Sequence, residues 1–183
     1  LSVFCDQSEK YGDRPYLWSK KNQLYESISW NDTYSMVNKL ASKLKKMDIA
    51  DNARVMLVSE NRPEWQVSDL AIMAADGISV PAYTTITSQD YEYLIRHSEA
   101  RVIIISSEFL YSKIELAINN LKIKKDVIII NDFTPKKNEL ITIHKWDEIQ
   151  NRARENSTDY LFHEAQKKNR TDVACIIYTS GTS

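Results

Sequence analysis

The alternation of apolar and polar positions divides the chain into short helices and strands. Ser2 to Lys10 is weakly helical. Two runs with strand character, Tyr16 to Ser19 and Leu24 to Trp30, flank the polar turn Lys20 to Gln23. Two strand-like runs around a short polar turn predict a β-hairpin.

After the hairpin, the apolar spacing changes to that of a helix. One apolar stripe contains Val37, Leu40, Ala41, Leu44 and Met47. Residues at this spacing share one face of an α-helix. Asn31 or Asp32 is placed to cap the start of this helix.

Short apolar runs then alternate with helical segments. The predicted buried strands are Ala53 to Ser59, Ile78 to Ala82, Val102 to Ile105, Val127 to Ile130 and Val173 to Tyr178. Strands that are apolar throughout are typical of parallel sheets covered on both faces. The sequence therefore predicts an α/β fold with a mainly parallel sheet and helices on both faces.

The helices between these strands have recognisable ends. Pro63 suits a first helical position, and Gly77 closes the same helix as a residue that tolerates positive φ. Ser88 is predicted to cap Gln89 to His97, and Ser107 to Asn120 is the next helix. Further on, Asn131 to Asn138 is a polar turn region.

The segment before the last strand is predicted to lie on the surface. Trp146 to Arg154 is read as a short helix. Asn156 to Arg170 is polar and loosely helical, as expected for a surface connection.

Composition and charge exclude several classes of protein. Hydrophobic residues make up 43% of the 183 residues and charged residues 27%, which suits a packed core. The formal net charge of −1 argues against a nucleic-acid-binding protein, which usually carries a basic excess. No apolar run approaches the ~20 residues of a membrane-spanning helix. Leu1 to Lys10 lacks the pattern of a signal peptide. We therefore expect a cytoplasmic protein.

Cysteine and histidine do not suggest a metal site. Cys5 and Cys175 lie far apart and make no metal-ligand spacing, and Cys175, in a predicted strand, is expected to be reduced and buried. His97, His144 and His163 have no second ligand at short spacing, which argues against a zinc site.

The main candidate for a ligand-binding site is the end of the chain. A predicted strand runs into Thr179, Ser180, Gly181, Thr182 and Ser183. Small hydroxyl residues around a glycine offer backbone N–H groups, hydroxyls and close approach to an anion such as a polyphosphate. The pattern is not a Walker A loop, and from the residues alone an ordinary turn stays open as the alternative.

Three motifs carry a resemblance to a known family. Tyr178 to Ser183 closely resembles the opening of the signature of the adenylate-forming superfamily. Ser59 to Trp65 and Val80 to Thr85 are similar to segments of long-chain fatty-acid:CoA ligases within that superfamily. The spacing between the three motifs fits as well, so the resemblance covers most of the chain.

The resemblance implies a two-step reaction. A long-chain fatty acid attacks ATP to give an acyl-adenylate, and the thiol of CoA then displaces AMP to give acyl-CoA. ATP, Mg²⁺ and CoA are the implied cofactors and co-substrate. Thr179, Ser180, Gly181, Thr182 and Ser183 would hold the phosphates, and Thr182 would also coordinate Mg²⁺.

The resemblance also implies a domain assignment. Residues 1–183 correspond to part of the N-terminal adenylation domain and end within the phosphate-binding loop. The metal-binding Glu, the adenine-binding motif and the C-terminal domain with its catalytic Lys lie beyond Ser183. No catalytic residue is therefore expected in this chain, and the chain alone is expected to be inactive.

Several other polar and aromatic residues have simpler structural explanations. Trp65 is expected to pack rather than to line an acyl tunnel. Glu60 and Glu64 flank a helix start, where the helix dipole favours acidic residues, and His97 lies near a helix end, where it favours a cation. The role of Arg62, which could hold a neighbouring loop through a carboxylate, stays open.

Two further features are weaker candidates. Tyr83, with Thr84 and Thr85, follows a strand end, where ligands of such sheets gather. Lys122, Lys124 and Lys125 form a basic cluster, read as a solvated face rather than a contact with anionic lipid.

The alternatives concern substrate and class. The same chemistry could act on a short-chain acid, an aryl acid or an amino acid, and a non-catalytic α/β binding module is the rival from another class. The next codons would discriminate, since Gly-x-Pro-Lys-Gly supports the ligase. Peripheral contact with the inner membrane surface and a homodimer stay open.

Overall fold

A computed structural model describes residues 1–49, 52–151 and 160–179 of the chain. The helices are α1 Ser2–Tyr11, α2 Trp30–Lys46, α3 Pro63–Ala74, α4 Ser88–Ser98, α5 Glu108–Leu121, α6 Trp146–Gln150 and α7 Tyr160–Lys167. The strands are β1 Pro15–Lys21, β2 Leu24–Ser29, β3 Arg54–Val58, β4 Ile78–Pro81, β5 Val102–Ile105, β6 Lys125–Ile129 and β7 Ile141–Lys145.

The strands form two sheets. β1 and β2 make the predicted antiparallel hairpin, with Asn22 and Gln23 at positive φ of 49° and 67° in its turn. Two consecutive residues at positive φ match the right-handed twist of the flanking strands. The other five strands lie in the order β4-β3-β5-β6-β7, and every pair is parallel.

Helices cover both faces of the five-stranded sheet, because successive strand residues point to opposite sides. Val55 and Leu57 of β3 face the core formed by α1, α2, α3, α6 and α7. Met56 and Val58 of the same strand face the core formed by α4 and α5. All four side chains are fully buried. The predicted α/β fold is therefore confirmed.

Two predicted helix caps are wrong by one or more residues. Ser29, rather than Asn31 or Asp32, caps α2, and its Oγ accepts a hydrogen bond from the backbone N–H of Asp32. Thr87, rather than Ser88, caps α4. The reason in both cases is backbone geometry, because the capping residue is extended and lies just outside the helix.

Thr87 also belongs to a reciprocal capping box. Its Oγ1 accepts from the N–H of Asp90 at 3.2 Å, and its own N–H donates to Oδ2 of Asp90 at 2.8 Å. Ser88 is the first residue inside the helix. The pair satisfies two backbone donors at the start of α4.

The prediction that Gly77 ends α3 by adopting a positive φ is wrong. The positive φ of 65° belongs to Asp76. Gly77 is instead needed for space, because an added Cβ would lie 3.0 Å from Ile49 Cγ2 and 3.1 Å from the carbonyl oxygen of Ile72. The close approach lets the chain turn directly into β4.

The end of the described chain differs most from expectation. β7 was not predicted, although it pairs with β6 at the edge of the sheet. The segment expected to be a surface connection contains α7, whose Leu161 and Ala165 are buried in the core with α1, α2 and α3. The predicted helix Trp146 to Arg154 corresponds to α6, and residues 152–159 lie outside the described ranges.

Candidate functional site

The segment that leads into the predicted phosphate-binding loop runs beside β4. The backbone N–H of Ser79 donates to the carbonyl of Ala174 at 3.1 Å, and that of Ile176 donates to the carbonyl of Ser79 at 2.9 Å. These two bonds define a single parallel bridge between Ser79 and Cys175. The segment therefore extends the sheet at its β4 edge, on the side away from β3.

The prediction of a buried strand from Val173 to Tyr178 is wrong, because the segment forms only the bridge at Cys175 and is largely exposed. Val173 and Ile177 expose 55% and 64% of their surface. Cys175, expected to be buried, is exposed too, whereas Cys5 is buried. The physical reason is position. The segment lies at the sheet edge, with β4 as its only strand neighbour among the described residues.

Only the first residue of the predicted phosphate-binding loop can be placed. Thr179 is exposed. Ser180, Gly181, Thr182 and Ser183 lie outside the described residues, so their phosphate-binding role and the metal-binding role of Thr182 stay predictions. Within residues 1–49, 52–151 and 160–179, no group of three or more His, Cys, Asp or Glu side chains could hold a metal ion.

Tyr178, immediately before that loop, is held by α4. Its hydroxyl lies 2.7 Å from Nδ1 of His97. Its ring packs edge-on against the rings of His97 and Tyr93, which stack on each other. Burial, followed by the neighbouring Tyr93, raises the pKa of Tyr178, so its hydroxyl keeps its proton at neutral pH.

The carboxyl ends of the parallel strands carry a polar network. Ser106, which follows β5, donates to Oε2 of Glu60, which follows β3, at 2.5 Å. Arg62 reaches further, to Asn131 beyond the end of β6. Neighbouring parallel strands bring their carboxyl ends to one edge, which is where α/β sheets bind ligands.

The structural explanations of Trp65 and Glu64 are supported. Trp65 is half-buried and packs against the core that contains α2 and α3. Glu64 pairs with Arg62 at the start of α3. Arg62 thus uses a carboxylate on its own helix, and it contacts the neighbouring loop through the amide of Asn131.

The loop after β4 is held by two side chains that donate to its backbone carbonyls, and the side chain of Tyr83 in it is exposed. The hydroxyl of buried Tyr91 donates to the carbonyl of Tyr83 at 2.7 Å, and Nζ of Lys113 donates to the carbonyl of Ile86 at 2.8 Å. Burial, then the charges of Glu60 and Asp90, raises the pKa of Tyr91. The side chain of Tyr83 is 68% exposed. It lies at the carboxyl end of β4, where the sequence suggested a pocket.

The basic cluster is not a uniformly solvated face. Lys125 is half-buried, and its Nζ donates to the carbonyl of Ala100 at 2.5 Å. Burial, reinforced by the charge of Arg101, lowers its pKa. Lys122 contributes a positive φ of 54° at the end of α5. Two of the three lysines therefore have a structural role.

Three contact residues were not predicted from the sequence: Ser106 as the partner of Glu60, Asn131 as that of Arg62, and His97 as that of Tyr178. Ser106 and Asn131 each follow a predicted strand, so the rule that parallel strands share a carboxyl edge could have found them. His97 was interpreted only through its position at a helix end. Its contact with Tyr178 spans 81 residues of sequence, and no local signal reports it.

Comparison with known proteins gives the family. The profile of the AMP-binding enzymes matches residues 4–183, almost the whole chain. The chain belongs to the AMP-binding enzyme family. No helix within the described parts of the chain is long and apolar enough to cross a membrane.

Curated relatives of this family member are acyl-CoA ligases. It is 26% identical to long chain acyl-CoA synthetase 4 of Arabidopsis thaliana over 99% of the chain and 28% of the relative. It is 28% identical to the human long-chain-fatty-acid–CoA ligase ACSBG1 over 99% of the chain and 25% of the relative. The chain thus spans about a quarter of the length of these relatives.

Solved structures of the same fold act on other acids. Coronafacic acid ligase of Pectobacterium brasiliense aligns with a TM-score of 0.77 at 20% identity, covering 97% of this chain and 33% of the ligase. The anthranilate CoA ligase AuaEII, bound to anthranoyl-AMP, aligns with a TM-score of 0.69 at 19% identity, covering 81% and 27%. At these identities the likeness establishes the fold.

Proposed function

We propose that residues 1–183 are part of the large adenylation domain of an ATP-dependent carboxylate–CoA ligase whose substrate is a long-chain fatty acid. The observation that carries the proposal is the family match over residues 4–183, together with the signature that begins at Tyr178. The segment leading to that signature lies beside β4 and runs parallel to it, toward the carboxyl edge of the sheet.

The proposed reaction has two balanced steps. A carboxylate oxygen of the acid attacks the α-phosphorus of ATP, and the bond to the bridging oxygen breaks to release pyrophosphate. The CoA thiolate then attacks the carbonyl carbon of the acyl-adenylate, and AMP leaves with the electron pair of the acyl–oxygen bond. Both steps need the negative charge of the phosphates to be neutralised and the reacting groups to be aligned.

Residues 179–183 are proposed to bind the β- and γ-phosphates. Their backbone N–H groups and hydroxyls are donors, and Gly181 allows close backbone approach. The Thr182 hydroxyl is proposed as one oxygen ligand of Mg²⁺, which neutralises phosphate charge when bound. The rest of the active site, including the catalytic Lys, is proposed to lie in the longer protein, so the 183-residue chain alone is expected to be inactive.

The fatty-acid substrate is supported by sequence and not by the fold. Ser59 to Trp65 resembles long-chain ligases, and curated relatives with that activity are 26% and 28% identical. An aryl or other acid is the second candidate, because the anthranilate and coronafacic acid ligases share the fold.

The test is pyrophosphate release by the full-length protein with ATP, Mg²⁺ and CoA. The acids are saturated fatty acids of increasing length, benzoate, anthranilate and amino acids. Turnover that requires CoA and peaks with long chains supports the proposal. Turnover only with an aryl or amino acid overturns the substrate, and ATP binding without release for any acid favours a binding module.

A matched pair of variants tests the loop in the same assay. Thr182→Val keeps the shape of the side chain and removes the hydroxyl. We expect it to raise the Mg²⁺ concentration needed for half-maximal rate. Thr142→Val, at an exposed position of β7 on the sheet edge opposite β4, is the control and is expected to behave as wild type. An unchanged Mg²⁺ requirement in Thr182→Val would contradict the proposed metal role.

A further inference from the structure

The residue that precedes the proposed phosphate-binding loop is fixed by side chains rather than by the sheet. Of the backbone hydrogen bonds between described residues, the last that joins this segment to β4 is the one from Ile176 to Ser79, at 2.9 Å. Tyr178, two residues further on, is held by its ring and hydroxyl. Its position therefore depends on what α4 presents to it.

α4 presents two aromatic side chains on one face. Tyr93 and His97 are four residues apart, so they are neighbours on the helix surface. Their rings stack at 5.4 Å between centroids and 20° between planes. The ring of Tyr178 meets both edge-on, at 6.2 Å from Tyr93 and 5.6 Å from His97.

A hydrogen bond between His97 and Tyr178 accompanies the ring contact. Nδ1 of His97 lies 2.7 Å from the Tyr178 hydroxyl, which can donate to a neutral imidazole. The same ring of Tyr178 packs on the apolar core beneath α4 and α5. Ring packing holds Tyr178 against the core, and the hydrogen bond fixes the direction of its hydroxyl.

We infer that His97 is a positioning residue that holds Tyr178 and thereby fixes the start of residues 179–183 for nucleotide binding. The inference rests on the proposed function of that loop, but the contact itself does not. His97 is 81 residues from Tyr178 in sequence, and it contacts the rings of Tyr93 and Tyr178. Its effect is transmitted through the tyrosine.

The first test is hydrogen exchange of the full-length protein in a peptide covering residues 177–183. His97→Ala and Tyr178→Phe each remove the hydrogen bond, and we expect each to speed exchange about 3- to 10-fold. His97→Ala also removes a ring contact with Tyr178, so the double variant should exchange about as fast as His97→Ala alone, because Tyr178→Phe then breaks a bond that is already lost. Arg96→Ala, an exposed neighbour in the last turn of α4, is the control and should exchange as wild type.

Exchange alone can overturn the inference. Wild-type exchange in His97→Ala, equal acceleration in Arg96→Ala, or additive effects in the double variant would each show that the contact does not hold this segment. Circular dichroism before exchange checks that the variants are folded. Because His97 is exposed, its replacement is expected to leave the fold intact.

The second test separates positioning from general loss of structure. In the pyrophosphate assay, His97→Ala and Tyr178→Phe should raise KM for ATP about 3- to 10-fold and leave KM for the acid unchanged. A lower kcat with unchanged KM for ATP would overturn the inference. A wild-type protein that is inactive with every acid would instead contradict the proposed function, and exchange would still decide the role of His97.

Discussion

The guanidinium group of Arg62 binds the carboxylate of Glu64 through two hydrogen bonds, from Nε at 2.7 Å and from Nη2 at 3.1 Å. Its remaining nitrogen, Nη1, donates to Oδ1 of Asn131 at 2.8 Å. Arg62 follows β3 and Asn131 follows β6, so the contact passes the end of β5, which lies between them. One side chain thus ties together two loops at the carboxyl edge of the sheet.

Replacing Arg62 is expected to loosen this edge. Arg62→Ala removes a two-point ion pair that is about three-quarters buried, and we expect it to lower the free energy of unfolding by about 1–2 kcal/mol. Arg101→Ala is the control, because its ion pair with Asp48 is longer, at 3.4 Å, and largely exposed. Thermal unfolding followed by circular dichroism measures both; equal effects would contradict a special role for Arg62.

The Arg62–Glu64 pair should also make stability depend on pH. Burial acts to raise the pKa of Glu64, but the hydrogen bonds and charge of Arg62 outweigh it and hold the pKa below its ordinary value of 4.5. Because the pKa of Glu64 is lower in the folded protein, its ionised carboxylate contributes its full stabilisation at pH values above the ordinary pKa. This stabilisation is lost as the pH falls through the lowered pKa of the folded state.

Glu64→Gln isolates that contribution. We expect the variant to be less stable than wild type at about pH 6, and the difference to shrink as the pH falls to about 3. Unfolding temperatures measured across this range provide the comparison. A difference that is constant with pH would show that the Glu64 carboxylate is not the titrating group.

Asp69 on α3 should show the opposite dependence. Burial raises the pKa of its carboxyl above the ordinary 3.8. Its stabilising contribution is therefore present below that value and lost as pH rises through the raised pKa in the folded state. Asp69→Asn is expected to raise the unfolding temperature at about pH 7 and to change little at about pH 3, and Asp6→Asn, at an exposed site on α1, is the control for the loss of one negative charge. A stabilisation that persists at low pH would contradict this assignment.

At the start of α4, Thr87 caps the helix and the adjacent Ser88 does not, so their replacement should affect stability differently. Thr87→Ala removes the cap and half of the box with Asp90, and we expect a loss of about 1 kcal/mol in the free energy of unfolding. Ser88→Ala, one residue inside the helix, is expected to change stability by less than about 0.5 kcal/mol. Denaturant unfolding of the two variants measures the contrast, and a larger loss in Ser88→Ala would reverse the assignment.

Local periodicity was sufficient for most of the secondary structure. β3 and β5 are apolar at every central position, β6 ends in the apolar run Val127 to Ile129, and the stripe on α2 repeats at helical spacing. These patterns follow from burial of one side chain after another, so they are visible without knowing what covers them. β7 was missed because it lies at the sheet edge, where Thr142, His144 and Lys145 are tolerated and leave no apolar run.

The sequence also carried the family resemblance, because the motifs at Ser59 to Trp65 and Tyr178 to Ser183 are contiguous. Tertiary structure decided which residues meet: Arg62 with Asn131, Glu60 with Ser106, and His97 with Tyr178. It also decided that Cys175 is exposed, since burial depends on the neighbours of a segment and not on its own hydrophobicity. Contacts between residues far apart in the chain depend on strand order and helix placement, and local sequence patterns do not report either.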